Sequence, residues 1–243
     1  MSSIARRTAG PRITSPAASG RSSVVATTRT LFDQELAELK SGVVRMGSMV
    51  EQAIAESMRA LVDRNNALAK EVIARDQEVN ELHRLLRERA FMIMATQQPV
   101  ARDLRLIVSF QHMVLELERM GDHAVGIARA ALRLNDLPQL KPYIDLPKMA
   151  EITESQVHEI LGAVIEADQD KARAIAERDD EVDTLYHKIW DELVGFMIQD
   201  PANVQRAAIL LFLAKDLERI ADRVTNIAED VVFLHTGRIV ELS

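Results

Sequence analysis

The sequence predicts an all-α protein built from two tandem, internally duplicated three-helix bundles. The chain is 47% hydrophobic but only 4% aromatic, with few glycines and prolines, and such compositions are typical of helical proteins. Apolar residues recur along most of the chain at steps of three and four. The segment at 117–128 also returns in similar form at 217–228, and a repeat of this kind indicates a duplicated unit.

Composition excludes several classes of protein. The chain has no cysteine, which rules out disulfides, thiolate catalysis and cysteine-ligated metals, and fits a reducing cytoplasm. No apolar run approaches the roughly 18 residues of a membrane-spanning helix, so we expect a soluble or at most peripheral protein. Residues 1–30 hold five arginines and no acid, so residues 31–243 carry −12 against −7 for the whole chain. An acidic body argues against nucleic acid as a partner.

The first predicted unit follows a basic tail. Residues 1–28 are rich in Ser, Thr, Ala, Gly and Arg without periodicity, and we predict that they are disordered. A transit peptide and a basic arm on anionic lipid stay open as alternatives. The first bundle is predicted at 29–136, with helices at 30–63, 66–96 and 100–134. Its breaks are the polar turn at 63–66 and Pro99, since proline disfavours helix in the residue before it.

The second predicted unit repeats the first. A proline-rich linker at 137–147 separates the two, and the second bundle is predicted at 148–237, with helices at 148–167, 169–199 and 202–235 and a break at Pro201. The second and third helices of the two halves align at offsets of 100 to 103. Because the connections are short, neighbouring helices are expected to be antiparallel.

Acidic residues occur in pairs on the third helix of each half, as Glu118 with Asp122 and Glu218 with Asp222. Heptad assignment places both pairs away from the apolar seam, so we expect them on an outer face. The plain interpretation is a solvated charged face. Like charges four residues apart repel, however, and their repetition in both halves indicates a compensating cation.

The second helix of each half adds further carboxylates, namely Asp76 in the first half and Asp179 with Asp183 in the second. His187 extends the latter row by one turn. Antiparallel neighbours could bring these rows to one groove, and carboxylate-rich sites suit divalent or trivalent ions such as magnesium, manganese, iron or zinc. Metal binding in at least one half is therefore a hypothesis.

The two halves differ in their candidate ligands. Asn80 and Arg84 stand where the second half has Asp183 and His187, so we expect the first site to be weaker or empty. Two histidines of the first half, His83 and His123, are candidate replacements, although a surface histidine is the simpler interpretation of each.

No enzymatic motif is present. The chain has no phosphate-cradling glycine loop, no HExxH and no nucleophile elbow, and it lacks the Glu-x-x-His pairs of a di-iron bundle. We therefore predict no catalytic residues and a non-enzymatic protein. The alternatives are a metal-dependent hydrolase or oxidase acting on a phosphate compound, and a coiled-coil structural protein that would leave the duplicated acids unexplained.

Four motifs carry a resemblance to a known family: the segments at 30–36 and 97–105, and the two Leu-Glu-Arg-x-x-Asp segments at 117–122 and 217–222. Over residues 29–235 the chain resembles the PhoU family of phosphate-transport regulators. The resemblance implies a cytoplasmic negative regulator of phosphate uptake and phosphate-starvation signalling. Such a protein bridges the ATPase of the phosphate ABC importer and a sensor histidine kinase, and often forms a homodimer.

The resemblance also implies metal clusters held by Glu/Asp-x-x-x-Asp motifs. In this chain the motifs are three pairs: Asp179 with Asp183, Glu118 with Asp122, and Glu218 with Asp222. The motif that starts at Asp76 is incomplete, because its fourth-residue partner is an asparagine. The segment that holds Arg102, Asp103 and Arg105 is a candidate partner surface, and 201–206 lacks a counterpart of Arg102-Asp103. If this proline-containing segment contacts a partner, the two bundles are not interchangeable, because only the first carries Arg102-Asp103.

Overall fold

The structure is a computed structural model that describes the backbone of residues 19–242 and the side chains of residues 30–242. In this part of the chain every regular element is helical, which confirms the predicted class. The elements in order are α1 (Ser19–Val62), α2 (Asn66–Gln97), α3 (Arg102–Asn135), α4 (Asp145–Glu166), α5 (Gln169–Ala176), α6 (Asp179–Gln199), a 3₁₀ turn (Pro201–Asn203) and α7 (Val204–Thr236).

Two helix starts differ from the prediction. α1 begins at Ser19, inside the segment predicted to be disordered, because a helix nucleated at its core-packed end extends at little cost through residues such as Ala26. Residues 1–18 lie outside the described part. α4 begins at Asp145, inside the predicted linker, with Pro147 in its first turn. Proline is tolerated there because the first amides of a helix have no intrahelical partner.

The second predicted helix of the second half is two helices. Asp168 caps α5 by accepting hydrogen bonds from the amides of Asp170 and Lys171, each 3.0 Å long. The chain then breaks before α6. At the break the Arg178 carbonyl accepts hydrogen bonds from the Glu181 amide at 3.2 Å and from the side chain of buried Gln156 at 3.1 Å, which ties the start of α6 to α4. The matching residue of the first half is Ala53, and α2 runs unbroken.

The two halves share one apolar core. α1, α2 and α3 pack on one another, as do α4, α6 and α7, and the halves meet where α3 lies along α7 and α1 along α4. The predicted seams supply this core: Leu117 and Met120 of α3 and Leu217 of α7 are fully buried. The acidic grooves described below lie on its outside, between the second and third helices of each half.

Gly47 sets the distance between α1 and α4. A Cβ atom at this position would lie 2.3 Å from Cδ2 and 2.9 Å from Cγ of Leu161, so the Leu161 side chain occupies the space that alanine needs. We expect Gly47→Ala to lower the free energy of unfolding by about 2 kcal/mol through overpacking. Gly195→Ala in α6 is the matched control, because nothing lies within 4 Å of its new Cβ. The control should stabilise the protein by about 0.5–1 kcal/mol in urea unfolding. Equal effects of the two substitutions would contradict this account of the α1–α4 contact.

Candidate functional site

Two acidic grooves form where the second and third helices of each half lie side by side. In the first groove, between α2 and α3, Asp76 faces Glu118 and Asp122. A Cβ at Gly121 of α3 would lie 3.5 Å from Asp76 Oδ1, which shows how closely α2 approaches here. Burial, and then the negative charge of Asp122, raises the pKa of Asp76. Burial and the charge of Asp122 likewise raise the pKa of Glu118.

The second groove lies between α6 and α7 and holds four carboxylates: Asp179, Asp183, Glu218 and Asp222. Burial raises the pKa of Asp179 to about 6, with further contributions from the charges of Asp183, Asp222 and Glu218. Burial and the charge of Glu218 also raise the pKa of Asp222. The raised pKa values of Asp179 and Asp222 indicate a cluster of negative charge that a cation would stabilise.

The acids of the two grooves differ in depth: Asp122 of the first groove is exposed, whereas the acids of α7 are partly buried. They are outside the apolar seam, but the Glu218 side chain is only 13% exposed and the Asp222 side chain 33%. Glu218 Oε2 is buried and accepts no hydrogen bond from the described residues. The same oxygen lies 3.7 Å from Nε of Arg219, so the charge of Glu218 is compensated by a nearby guanidinium although its hydrogen-bonding capacity is not used.

The cations beside the two grooves differ. In the second groove Lys215 pairs with Glu218, and Arg219 donates to Asp222 at 3.0 Å. In the first groove Leu115 replaces Lys215, and Arg119 turns away to Glu116 at 2.6 Å. None of the three carboxylates of the first groove forms an ion pair within the part of the chain described.

In residues 30–242 no group of three or more Asp, Glu or His side chains has its ligand atoms converged as a metal site would. Repulsion between neighbouring carboxylates favours such a separated arrangement when no cation lies between them. To bind one ion together, the acids would need other side-chain rotamers, whereas the helices already hold these side chains near one another.

The other predicted ligands lie elsewhere. His187 is exposed, with its ring 5.7 Å from that of Tyr186, and it has no hydrogen bond to the acids. His123 binds Asp216 through Nδ1 at 2.9 Å and is not available to the first groove. Arg84 pairs with Glu88 at 2.8 Å, and Asn80 donates to Asp76 at 2.9 Å. His83 is partly buried, and its Nε2 has no hydrogen-bond partner among the described residues.

The predicted partner segment begins α3. Two of its residues that are not glycine have positive φ, Gln98 at 47° and Ala101 at 47°, whereas Asp200 before the second break is extended. Strained backbone of this kind is concentrated at functional sites. Arg102 is exposed, but the Arg105 guanidinium packs 3.5 Å from where a Cβ at Gly237 would lie and is therefore held against the end of α7.

A polar cross-link between the halves was not predicted. On α3, Glu116 is only 1% exposed and accepts hydrogen bonds from Asn226 at 2.9 Å and Arg223 at 3.3 Å, both on α7. The equivalent residue of α7 at an offset of 100 is Asp216, which binds His123, the equivalent of Arg223. We call these four side chains with Asn226 the clasp. Alignment of the two copies could have indicated it, because an acid and a base recur at matched positions.

A further clasp-like pair lies one turn along, where His112 Nδ1 is 2.6 Å from Asp230 Oδ2. The hydrogen bond to Asp230 raises the pKa of His112, whereas burial raises the pKa of Asp230. Gly126 completes the arrangement, because a Cβ there would lie 2.5 Å from Asp216 Oδ2. Polar contacts therefore fix how the two bundles sit against each other.

Fold and grooves together define a duplicated helical protein whose second and third helices form acidic, cation-attracting grooves. A family model described as the PhoU domain matches twice, at residues 43–131 and 146–231. The chain belongs to the PhoU family, as its motifs suggested.

Individual relatives support this membership. The chain is 38% identical to the phosphate-specific transport system accessory protein PhoU homolog of Clostridium acetobutylicum, over 89% of this chain and 99% of that protein. It is 39% identical to the homolog so named from Aquifex aeolicus, over 86% and 94%. The crystal structure of PhoU from Pseudomonas aeruginosa superimposes with a TM-score of 0.82 and 35% identity, over 85% of this chain and all of that one.

A second solved structure, the phosphate transport system regulatory protein PhoU from Streptococcus pneumoniae, has a TM-score of 0.80 and 30% identity, over 86% of this chain and 99% of that one. These names describe accessory and regulatory proteins and no enzyme, in agreement with the prediction of a non-enzymatic protein. No helix in the described residues is both long and apolar enough to cross a membrane.

Proposed function

We propose that this protein is a non-enzymatic accessory protein of phosphate transport that negatively regulates phosphate uptake and phosphate-starvation signalling. It acts in the cytoplasm as an adaptor between the ATPase subunit of the phosphate importer and a phosphate-sensing histidine kinase, and it works as a homodimer. The names of relatives that match nearly the whole chain support the transport role. The absence of an enclosed site with a nucleophile among the described residues favours an adaptor over a hydrolase.

The single observation that carries the mechanism is the meeting of carboxylates from separate helices in each groove. Asp179 and Asp183 with Glu218 and Asp222 would hold one metal site, and Asp76 with Glu118 and Asp122 the other. Carboxylate oxygen selects hard or borderline ions, so iron, zinc, magnesium and manganese are the candidates. A bound ion would neutralise the groove and change the charge that a partner meets.

The partner role is tested by capture from cells. Tagged protein recovered from cells grown at high and at low phosphate should bring down the importer ATPase or a sensor kinase, identified by mass spectrometry. Arg102→Ala changes the exposed arginine of the candidate partner segment, and Arg133→Ala, on an exposed position at the far end of α3, is the matched control. Capture of neither partner under either condition would rule out the adaptor.

The metal role is tested by completing the first groove. Asn80→Asp supplies the carboxylate that Asp183 supplies in the second half, so we expect it to raise the bound metal of protein purified without chelator, with at least a tenfold gain in affinity at the first groove. Arg84→Asp is the control, because Arg84 pairs along the helix with Glu88. Elemental analysis measures both variants. Metal-free wild-type protein that also fails to bind added divalent ions would end the hypothesis.

A further inference from the structure

The proposed function does not involve three side chains with nitrogen donors near the first groove, those of His83, Arg87 and Gln111. The Nε2 atoms of His83 on α2 and of Gln111 on α3 are buried and have no hydrogen-bond partner among the described residues. Arg87, one turn after His83, forms no ion pair in the same part of the chain. Buried nitrogens without partners are rare and call for a water or a ligand.

Helical register places these side chains near one level of the α2–α3 pair. Asp76 and Asp122 lie opposite each other in the antiparallel pair of helices. Arg87 is eleven residues after Asp76, and Gln111 is eleven residues before Asp122. Eleven residues are close to three full turns, so Arg87 and Gln111 lie at one level on the faces that carry the acids. His83 lies one turn nearer to the acids.

A crevice opens at this place. It has a volume of about 260 Å³ and is open to solvent, and the residues that line it all lie on α2: His83, Arg84, Arg87, Glu88 and Phe91. Arg84 is neutralised by Glu88 at 2.8 Å, which leaves Arg87 as its unpaired cation. Burial, and then the charge of Arg87, lowers the pKa of His83, so its ring is neutral and carries one N–H donor.

The second half shows what packing alone requires here. At the positions that match His83, Arg87 and Gln111 it has Tyr186, Trp190 and Leu211, none of which carries a charge. Helix packing in this groove is therefore compatible with aromatic and aliphatic residues. The donors belong to the first half only, and the fold does not need them.

We propose that the groove of His83, Arg87 and Gln111 binds a phosphate group. A guanidinium presents two parallel N–H donors that match phosphate oxygens, and the amide and imidazole add donors at its sides. Glu118 lies one turn away and disfavours an anion, so a cation on the neighbouring acids would strengthen phosphate binding. That coupling rests on the proposed metal role, whereas the phosphate site itself does not.

Equilibrium dialysis with radiolabelled inorganic phosphate tests the site on full-length protein, once in chelator and once with manganese. Wild type should bind phosphate saturably, and Arg87→Gln should weaken binding at least tenfold. The control Arg133→Gln, an exposed arginine at the far end of α3, should stay within twofold. Gln111→Leu, which installs the residue of the second half, should also weaken binding without loss of thermal stability. Phenyl phosphate in a parallel titration separates the sources: binding of inorganic phosphate alone identifies the free ion, and binding of both identifies a phosphoryl group.

Two results would overturn the proposal: no saturable binding by wild type under either condition, or equal binding by wild type and Arg87→Gln. Manganese bound in the same samples is measured by electron paramagnetic resonance. Loss of phosphate binding with manganese retained refutes the phosphate site and leaves the metal role standing. Phosphate binding in chelator, together with no manganese binding, would support the phosphate site and refute the metal role.

Discussion

Replacing Glu116 by alanine is expected to lower the free energy of unfolding by about 2–3 kcal/mol, because it removes charge-assisted hydrogen bonds to two arginines whose side chains are 45% and 24% exposed and stay partly hydrated. Glu116 is almost fully enclosed and accepts hydrogen bonds from Arg119, Arg223 and Asn226. Without it two guanidinium groups and an amide would face one another at the α3–α7 contact. Urea unfolding followed by circular dichroism measures the loss.

The matched control is Asp216→Ala, the same truncation at the equivalent position of the other half. The side chain of Asp216 is 26% exposed and has one histidine partner, so its loss should cost about 1 kcal/mol or less. If the two variants are equally stable, Glu116 does not anchor the two bundles to each other.

Asp179→Asn is expected to have opposite effects with and without metal. In metal-free protein it removes a charge that its neighbours disfavour, and it should stabilise the fold by about 1 kcal/mol after discounting for solvent screening. In protein held at a metal concentration a thousandfold above the dissociation constant, it should remove up to about 4 kcal/mol of stabilisation contributed by the ion.

The pH dependence gives this prediction a definite sign. The folded pKa of Asp179 is raised from 3.8 to about 6, so the folded state binds the extra proton between these values and loses stability as pH rises through them. The gain from Asp179→Asn in metal-free protein should therefore be absent below pH 3.8 and complete above about pH 6. Thermal unfolding across this range checks it, with Asp191→Asn on the exposed side of α6 as control. Destabilisation of metal-free protein by Asp179→Asn would contradict the clustered carboxylates.

Local periodicity predicted most of the fold. The seams of α3 and α7 were visible because their apolar residues recur at heptad spacing, and the turn before α2 because Asn65 is a good cap, whose side chain accepts from the Leu68 amide. The break before α6 is not visible in the periodicity, and the hydrogen bond that Gln156 donates there joins residues distant in sequence.

Spacing within single helices, together with the duplication, is what the sequence contributes to the candidate site. Spacing placed Glu118 with Asp122, and Glu218 with Asp222, on shared helix faces, and duplication indicated that both pairs matter. Spacing along one helix cannot show which residue of another helix lies opposite. Periodicity therefore does not bring His83 and Gln111 together. It also does not show that His123, a candidate ligand by sequence, is bound by Asp216.

The central claim is that carboxylates carried by different helices jointly bind a cation in the second groove. Trp190 is the one tryptophan of the chain, and its ring lies 6.2 Å from that of Tyr186, over which Lys215 of the groove sits at 5.0 Å. Terbium titration with excitation of Trp190 measures binding directly. Saturable sensitised emission in wild type that is lost equally in Asp183→Asn of α6 and Asp222→Asn of α7 is the predicted result. Emission that survives both substitutions, or none in wild type, would contradict the claim.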